Sequence, residues 1–285
     1  MTIWRKLLWT ALALLLLGGG GGVWLFLNAR AMPVVRRAEV ALPFPADAPR
    51  APLTVALLTD THLSGPDNGP ERMARIVRQI NGLKPDLILV GGDYLGDRKG
   101  GAIYGARASI APLAGLRAPL GVVAVLGNHD SFSSRNRRAL RKEAWRDAFA
   151  QIGITLLQDG AVRRGPLAIG GLRDIYTRHI DLPGTLAAMR RVGGAPVILS
   201  HGPDVFPRLP DRPSLTLVGH THCGQVALPF VGAVYVPSRY GTRYACGLYR
   251  AGARTMIVAA GVGTSGLPFR MFAPPDIWLV TIRPR

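Results

Sequence analysis

Five of the six histidines in this 285-residue chain fall in four short segments: Asp60 with His62, Asn128 with His129 and Asp130, His201 alone, and His220 with His222. Asp93 follows the apolar run 87–90 and the pair Gly91, Gly92. Together these positions supply carboxylate, carboxamide and imidazole donors enough to hold two divalent cations side by side. Such a mixed set suits manganese, iron, zinc or cobalt better than magnesium or calcium, which prefer oxygen throughout. Two divalent cations facing only the carboxylates of Asp60 and Asp93 keep a net positive charge, which suits an activated water and a phosphoryl oxygen.

The elements that would position these donors are legible as apolar runs of strand length. Residues 53–59, 87–90, 121–126, 197–199 and 215–218 read as buried strands, and each is followed at once by one of the polar segments. Between them, residues 71–83 place Met73, Ile76, Val77 and Ile80 at helical spacing, and residues 135–152 do the same with Leu140, Ala144, Ala148 and Ile152. Repeated strand, polar loop and helix predict parallel strands with ligands gathered at their carboxyl ends. Asp60 and His62 are two residues apart, so extended backbone would point both side chains the same way, and His220 and His222 repeat that spacing. After His222, short strands over 234–236, 244–250, 255–259 and 277–282 predict a second, largely antiparallel sheet.

Three regions are expected: an anchor or signal segment over 1–31, a Pro-rich linker over 32–52 and the main domain over 53–285. Residues 7–27 hold no charge, a length that spans a bilayer as a helix. A retained single-pass anchor is favoured over a cleaved signal peptide, which Ala29, Arg30 and Ala31 would also allow. Arg5 and Lys6 on one side face Arg30, Arg36 and Arg37 on the other, so charge leaves the orientation open, with an extracytoplasmic domain preferred. Residues 32–52 contain Pro33, Pro43, Pro45, Pro49 and Pro52 and read as a linker lifting the domain off the membrane.

The net charge of +18 comes almost wholly from arginine. It reflects either base composition or attraction to phosphate or an anionic membrane surface, and no nucleic-acid motif accompanies it. Arg135, Arg137, Arg138, Arg141, Lys142 and Arg146 are either a solvated helix face or a rim for phosphates and lipid headgroups. Two cysteines, Cys223 and Cys246, exclude a disulfide framework; they form one bridge or leave Cys223 as a bystander beside His222.

The ordered segments Asp60, Thr61, His62; Gly92, Asp93; Gly127, Asn128, His129, Asp130; His201; and Gly219, His220, Thr221, His222 resemble the calcineurin-like metallophosphoesterase family. The resemblance implies an α/β fold, a four-layer α/β/β/α sandwich of two mixed sheets. It also implies a dinuclear phosphoesterase in which Asp60, His62 and His222 bind one metal, Asn128, His201 and His220 the other, and Asp93 bridges them. Manganese is favoured. Asn128 and His129 would contact the substrate phosphate, with His129 a non-ligand that protonates the leaving alkoxide.

Two departures stand out. Protein phosphatases of the family carry a carboxylate three residues after the bridging aspartate, where this chain has Gly96, with Asp97 as the nearest acid; that argues against a protein phosphatase. Cys223 stands where the membrane-anchored bacterial branch has the first of two glycines. The tail, with Gly224, Gln225, Pro237, Ser238, Gly261, Gly263, Arg270, Pro274 and Pro275, resembles that branch. Its members imply a phosphodiester or pyrophosphate substrate, including the lipid-linked UDP-2,3-diacylglucosamine of lipid A synthesis, met at the membrane surface. A nuclease and a non-catalytic metal-binding surface protein are the alternative readings. The charge is the only support for the first, and His129, which metal binding does not require, speaks against the second.

Overall fold

The computed structural model describes residues 3–96, 102–131, 140–177 and 179–285. The apolar amino-terminal run forms one helix, α1 (Ile3–Arg30). Among the described residues, no helix is long and apolar enough to cross a membrane. The run expected to be a helix over residues 7–27 is thus helical throughout. The last turn of α1 is bound to the domain: Ala29 is fully buried, and Arg72 donates to the carbonyls of Arg30 at 3.0 Å and Ala31 at 2.6 Å.

The segment expected to be a linker is a strand over part of its length. Residues Val34–Leu42 form β1, and the domain's ordered structure begins there, ahead of residue 53. A period-two pattern, with Ala38, Val40 and Leu42 turned to one side, underlies it. Then follow β2 (Leu53–Leu58), α2 (Pro70–Gly82), β3 (Leu87–Val90), α3 (Ala106–Ile110), β4 (Val122–Ala124), α4 (Lys142–Gln151) and β5 (Thr155–Leu156). The second half of the chain supplies β6 (Gly160–Arg164), β7 (Leu167–Gly171), α5 (Leu182–Val192), β8 (Ala195–Leu199) and β9 (Ser214–Val218). It ends with a hairpin of β10 (Ala227–Leu228) and β11 (Gly232–Ala233), then β12 (Gly247–Ala251), β13 (Arg254–Val258) and β14 (Asp276–Pro284).

These strands form two mixed six-stranded sheets, ordered β1-β14-β2-β3-β4-β5 and β12-β13-β9-β8-β7-β6. The division differs from the expected one. Strands β8 and β9 belong to the second sheet, which is parallel from β13 through β7 and antiparallel only at its edges. The closing strand β14 returns to the first sheet, antiparallel to β2 and parallel to β1. Residues 234–236 form no strand; the short hairpin just before them does.

Alternation along each strand sorts the side chains. Leu57, Leu89, Val123 and Val280 join Val197, Leu215, Leu217 and Ile257 in a core between the sheets. The intervening Ala56, Leu58, Ile88 and Val90 pack with Met73, Ile76 and Ile80 of α2 and Trp145 and Phe149 of α4. On the other sheet Ala168, Ile198 and Met256 pack against Leu182 and Met189 of α5. Each fully buried large apolar side chain here contributes about 1.5–3 kcal/mol, so Ile76→Ala alone would cost about 2–5 kcal/mol. The result is a mixed α/β arrangement of two sheets faced by helices, with the carboxyl ends of β2, β3, β4, β8 and β9 at one end.

The helices start as their sequences require. Pro70 opens α2 at a position where its missing N–H is no loss. Asp181 caps α5 by accepting the Gly184 N–H at 2.8 Å. Of the helix expected over 135–152, Lys142–Gln151 is helical, Leu140 and Arg141 precede it in non-helical backbone, and Ile152 follows its end. Arg135, Arg137 and Arg138 lie outside the described residues, as does Asp97; Arg141 and Arg146 are on the surface or near it.

Candidate metal centre

The loop after β2 does not continue in extended form. Asp60 and His62 take positive φ values of 51° and 37°, as do Asp93 at 57°, His220 at 71° and His222 at 51°. The expected same-side placement by strand alternation is therefore replaced by a left-handed turn at each site. Non-glycine residues reach this region at a cost of about 1–3 kcal/mol each, and only where the surroundings over-determine them. Here they do: the Asp60 N–H donates to Gly92 O at 3.0 Å and the His62 N–H to Asp93 O at 2.9 Å, joining the first two loops side by side. Glycine is required where the loops meet. A Cβ on Gly219 would lie 2.1 Å from Asp60 Oδ2, and one on Gly127 equally near Asp93 Oδ1.

All the donors singled out in the sequence converge. Asp93 Oδ2 lies 3.3 Å from Nε2 of both His62 and His201, and 3.9 Å from Nε2 of His129. Asp60 Oδ1 lies 3.7 Å from His222 Nε2. Asn128 Oδ1 is 3.0 Å from His201 Nε2, which is 3.1 Å from His220 Nδ1. Donor atoms within 4.8 Å of one another form three groups: Asp60, His62 and His222; His62, Asp93 and His129; and Asp93, His201 and His220.

The outer ring nitrogens are held in a manner suited to metal binding. His62 Nδ1 donates to Leu95 O at 2.9 Å, His201 Nδ1 to Gly91 O at 2.8 Å and His220 Nε2 to Pro237 O at 2.9 Å. A ring nitrogen facing a carbonyl carries its proton there, which leaves the other nitrogen as a lone-pair donor aimed inward. This donor chemistry fits divalent transition metals.

Charge is balanced differently from group to group. Burial works to raise Asp93, but the charges of His201 and His129 and hydrogen bonds from His201 and His62 hold it well below the usual range. Burial works against protonation of His201, yet Asp93 and Asp60 carry it well above its ordinary value. Burial, then His201, brings His220 down to about 3, while burial, His62 and Arg270 hold His222 well below its usual value. Burial thus favours neutral His220 and His222, while the neighbouring carboxylates favour a proton on His201, which a bound cation would replace.

Three residues around the ligands had no role assigned from the sequence. Asp130 is buried and accepts the N–H groups of Asp93 and Gly127 on Oδ2 and those of Tyr94 and Leu95 on Oδ1, so one carboxylate clamps two ligand loops. Burial and the neighbouring Asp93 push it up to about 7. Arg270 is fully buried, donates to the carbonyls of Ala260, Gly261, Gly263 and Ala273, and lies 3.4 Å from His222 Nδ1. Tyr176 stacks on His220 with ring centroids 4.0 Å apart. Its only local signal is Gly202, whose missing Cβ leaves room for the ring.

Cys223 and Cys246 are bridged, with Cα atoms 4.7 Å apart. Of the two sequence readings, the bystander cysteine is the one set aside. The bridge ties the residue after His222 to the start of β12.

A cavity of about 330 Å³ opens over the cluster, lined by Asp93, Asn128, His129, His220, His222 and Tyr235 among others. A larger one of about 590 Å³ lies at the amino ends of β7, β8 and β9 and has neither carboxylate nor imidazole in its lining. The chemistry belongs to the smaller.

Residues 53–224 match the family model described as calcineurin-like phosphoesterase. The chain is 32% identical over 235 residues to the uncharacterized metallophosphoesterase YkuE of Bacillus subtilis, covering 80% of this chain and 78% of that one. It is 27% identical over 248 residues to the transmembrane protein with metallophosphoesterase domain of Danio rerio, covering 81% of this chain and 53% of the relative, so it spans about half of that protein's length. It is 30% identical over 209 residues to the phosphodiesterase YaeI of Escherichia coli, covering 70% and 71%. With its matched segment running through every loop that bears these clustered donors, the chain belongs to the calcineurin-like phosphoesterase family, metal-dependent hydrolases of phosphoric esters.

Proposed function

We propose that this protein hydrolyses a phosphodiester or pyrophosphate bond with two divalent cations, manganese preferred. Asp60, His62 and His222 hold the first, and Asn128, His201 and His220 the second, with Asp93 between them. The carrying observation is that two of the three donor groups, Asp60 with His62 and His222, and Asp93 with His201 and His220, divide the ligands between two positions without needing His129.

Bound divalent cations supply an activated water and offset the negative charge that develops on the phosphoryl oxygens. The chain's own groups do the rest. Asn128 and His129 line the cavity, where the carboxamide and imidazole orient the phosphate. The His129 backbone N–H donates to Asp93 Oδ1 at 2.9 Å, which fixes the imidazole at the mouth. From there it delivers a proton to the oxygen of the departing group, a contribution of about 10²–10⁴ in rate.

The relative named a phosphodiesterase supports the diester class. The uncharged run 7–27 and the relative named a transmembrane protein support a membrane tether over 1–31, with the domain working at the bilayer on a lipid-linked ester such as UDP-2,3-diacylglucosamine. A disulfide favours an oxidising, extracytoplasmic compartment for that domain.

The test is hydrolysis of bis(p-nitrophenyl) phosphate by the purified full chain with manganese. Turnover that chelation abolishes and manganese restores is expected. Metal-replete protein inert toward diesters and pyrophosphates alike would overturn the reading. Lipid extracts from cells lacking the protein test the substrate: accumulation of a UDP-linked acyl sugar is expected.

A further inference from the structure

The hairpin of β10 and β11 projects an apolar tip beside the metal centre. Phe230 is fully exposed, and Val231 and Tyr235 are exposed by 71% and 72%. Leu228 and Val234 are exposed as well. Tyr235 also lines the cavity over the metal ligands, so the patch is the rim of the site. Contiguous apolar surface of this kind marks a face that meets something other than water.

What it meets is indicated by its neighbours. The strip 270–272 lies between the hairpin and α1: the Ala227 N–H donates to Met271 O at 2.8 Å, and the Arg270 N–H to Leu25 O at 3.1 Å. On this strip Phe272 is exposed and its ring lies 5.7 Å from that of Trp24 in α1. Leu267, also exposed, is held nearby, because Gln225 Nε2 donates to the carbonyls of Ser265 and Leu267. One continuous surface therefore carries the end of the apolar helix, the aromatic strip, the hairpin and the mouth of the metal centre.

The segment that bears the hairpin is basic. No aspartate or glutamate occurs between Asp211 and Asp276, whereas Arg239 and Arg243 are exposed just beyond the hairpin. Aromatic and aliphatic tips flanked by arginine match a bilayer interface with anionic headgroups, where apolar groups enter the acyl boundary and guanidinium groups meet phosphate.

We infer that the β10–β11 hairpin is a lipid-inserting rim that seats the mouth of the metal centre on an anionic bilayer, so that the phosphoester enters from the lipid surface. This rests on the phosphodiesterase reading only for the identity of the substrate; the docking itself is separately measurable.

Both native cysteines are bridged, so Val231→Cys in the full chain offers one thiol for an environment-sensitive fluorophore. Arg212→Cys, at the amino end of β9, is the control. Each labelled protein is reconstituted into vesicles of phosphatidylcholine with a minor fraction of phosphatidylglycerol. With nitroxide lipids present, the label at 231 is expected to lose about half its fluorescence or more, as for a group entering the acyl boundary, and the label at 212 to lose almost none. No quenching at 231, equal quenching at both sites, or a chain that does not float with the vesicles would overturn the inference. Unlabelled Phe230→Ser/Val231→Ser in detergent is expected to hydrolyse bis(p-nitrophenyl) phosphate within about twofold of the native rate; a loss there would make the hairpin part of the active site and also overturn it. A native protein inert toward the soluble ester, with position 231 still quenched, would sink the hydrolase reading and leave the docking intact.

Discussion

The carboxylate of Asp130 accepts the backbone N–H of Asp93 at 2.8 Å and, through the same oxygen, that of Gly127 at 2.9 Å. The proposed bridging ligand and the loop bearing Asn128 and His129 are therefore set by a residue that is not itself in a ligand group. Asp130→Asn would turn an NH₂ group against backbone N–H donors. Its expected cost is about 1–3 kcal/mol, with reduced metal content. Denaturant unfolding read beside elemental analysis of the purified variant checks both.

His129 should separate chemistry from metal binding. His129→Ala is expected to lower kcat toward bis(p-nitrophenyl) phosphate by about 10²–10⁴ while retaining the native metal content. Loss of metal along with activity would instead make His129 a ligand, as its membership of the group with His62 and Asp93 also allows.

The Cys223–Cys246 bridge closes a loop of 23 residues' separation next to His222. Cys246→Ser is expected to lower stability by about 2–4 kcal/mol in non-reducing buffer. Unchanged stability would mean that the bridge does not form, which peptide mapping without reduction would also reveal.

Asp276 gives a pH dependence of unusual sign. It accepts the Ala260 N–H and pairs with Arg36 at 2.9 Å, yet burial outweighs both and raises its carboxyl from 3.8 to about 6. Between those values the folded chain holds more protons than the unfolded one, so this contribution to stability falls as pH rises and is fully lost above the folded value. Two units correspond to about 3 kcal/mol in order of magnitude. The stability of the native chain relative to Asp276→Asn should therefore drop by roughly that amount between pH 4 and pH 7, as followed by urea unfolding at each pH. A flat difference would show that the carboxyl titrates normally.

Much of the site was legible because its signals are local. A buried strand reads as an apolar run, and a donor placed immediately after it must lie at a strand's carboxyl end; Asp60, Asp93, Asn128, His201 and His220 all follow this rule. Helix α2 was legible for the same reason, through the spacing of Met73, Ile76 and Ile80. What the run lengths could not state was the partner of each strand. β1 pairs with β14 some 240 residues away, and β8 joins β7 and β9 in the second sheet and not the strands that precede them in the first. Those choices depend on burying both faces of two sheets at once, a condition that no window of sequence contains.

The same division holds at the metal centre. The donor types, and hence the chemistry they suit, were determined by the sequence alone. Only the tertiary structure decided that Asp60, His62, Asp93, His220 and His222 would sit in left-handed turns, that Asp130 and Arg270 would hold the loops from behind, and that the strip 270–272 would connect the apolar hairpin to the end of α1. The physical reason is range: residue type sets what a side chain can bind, but its position depends on backbone hydrogen bonds and packing between segments far apart in the chain.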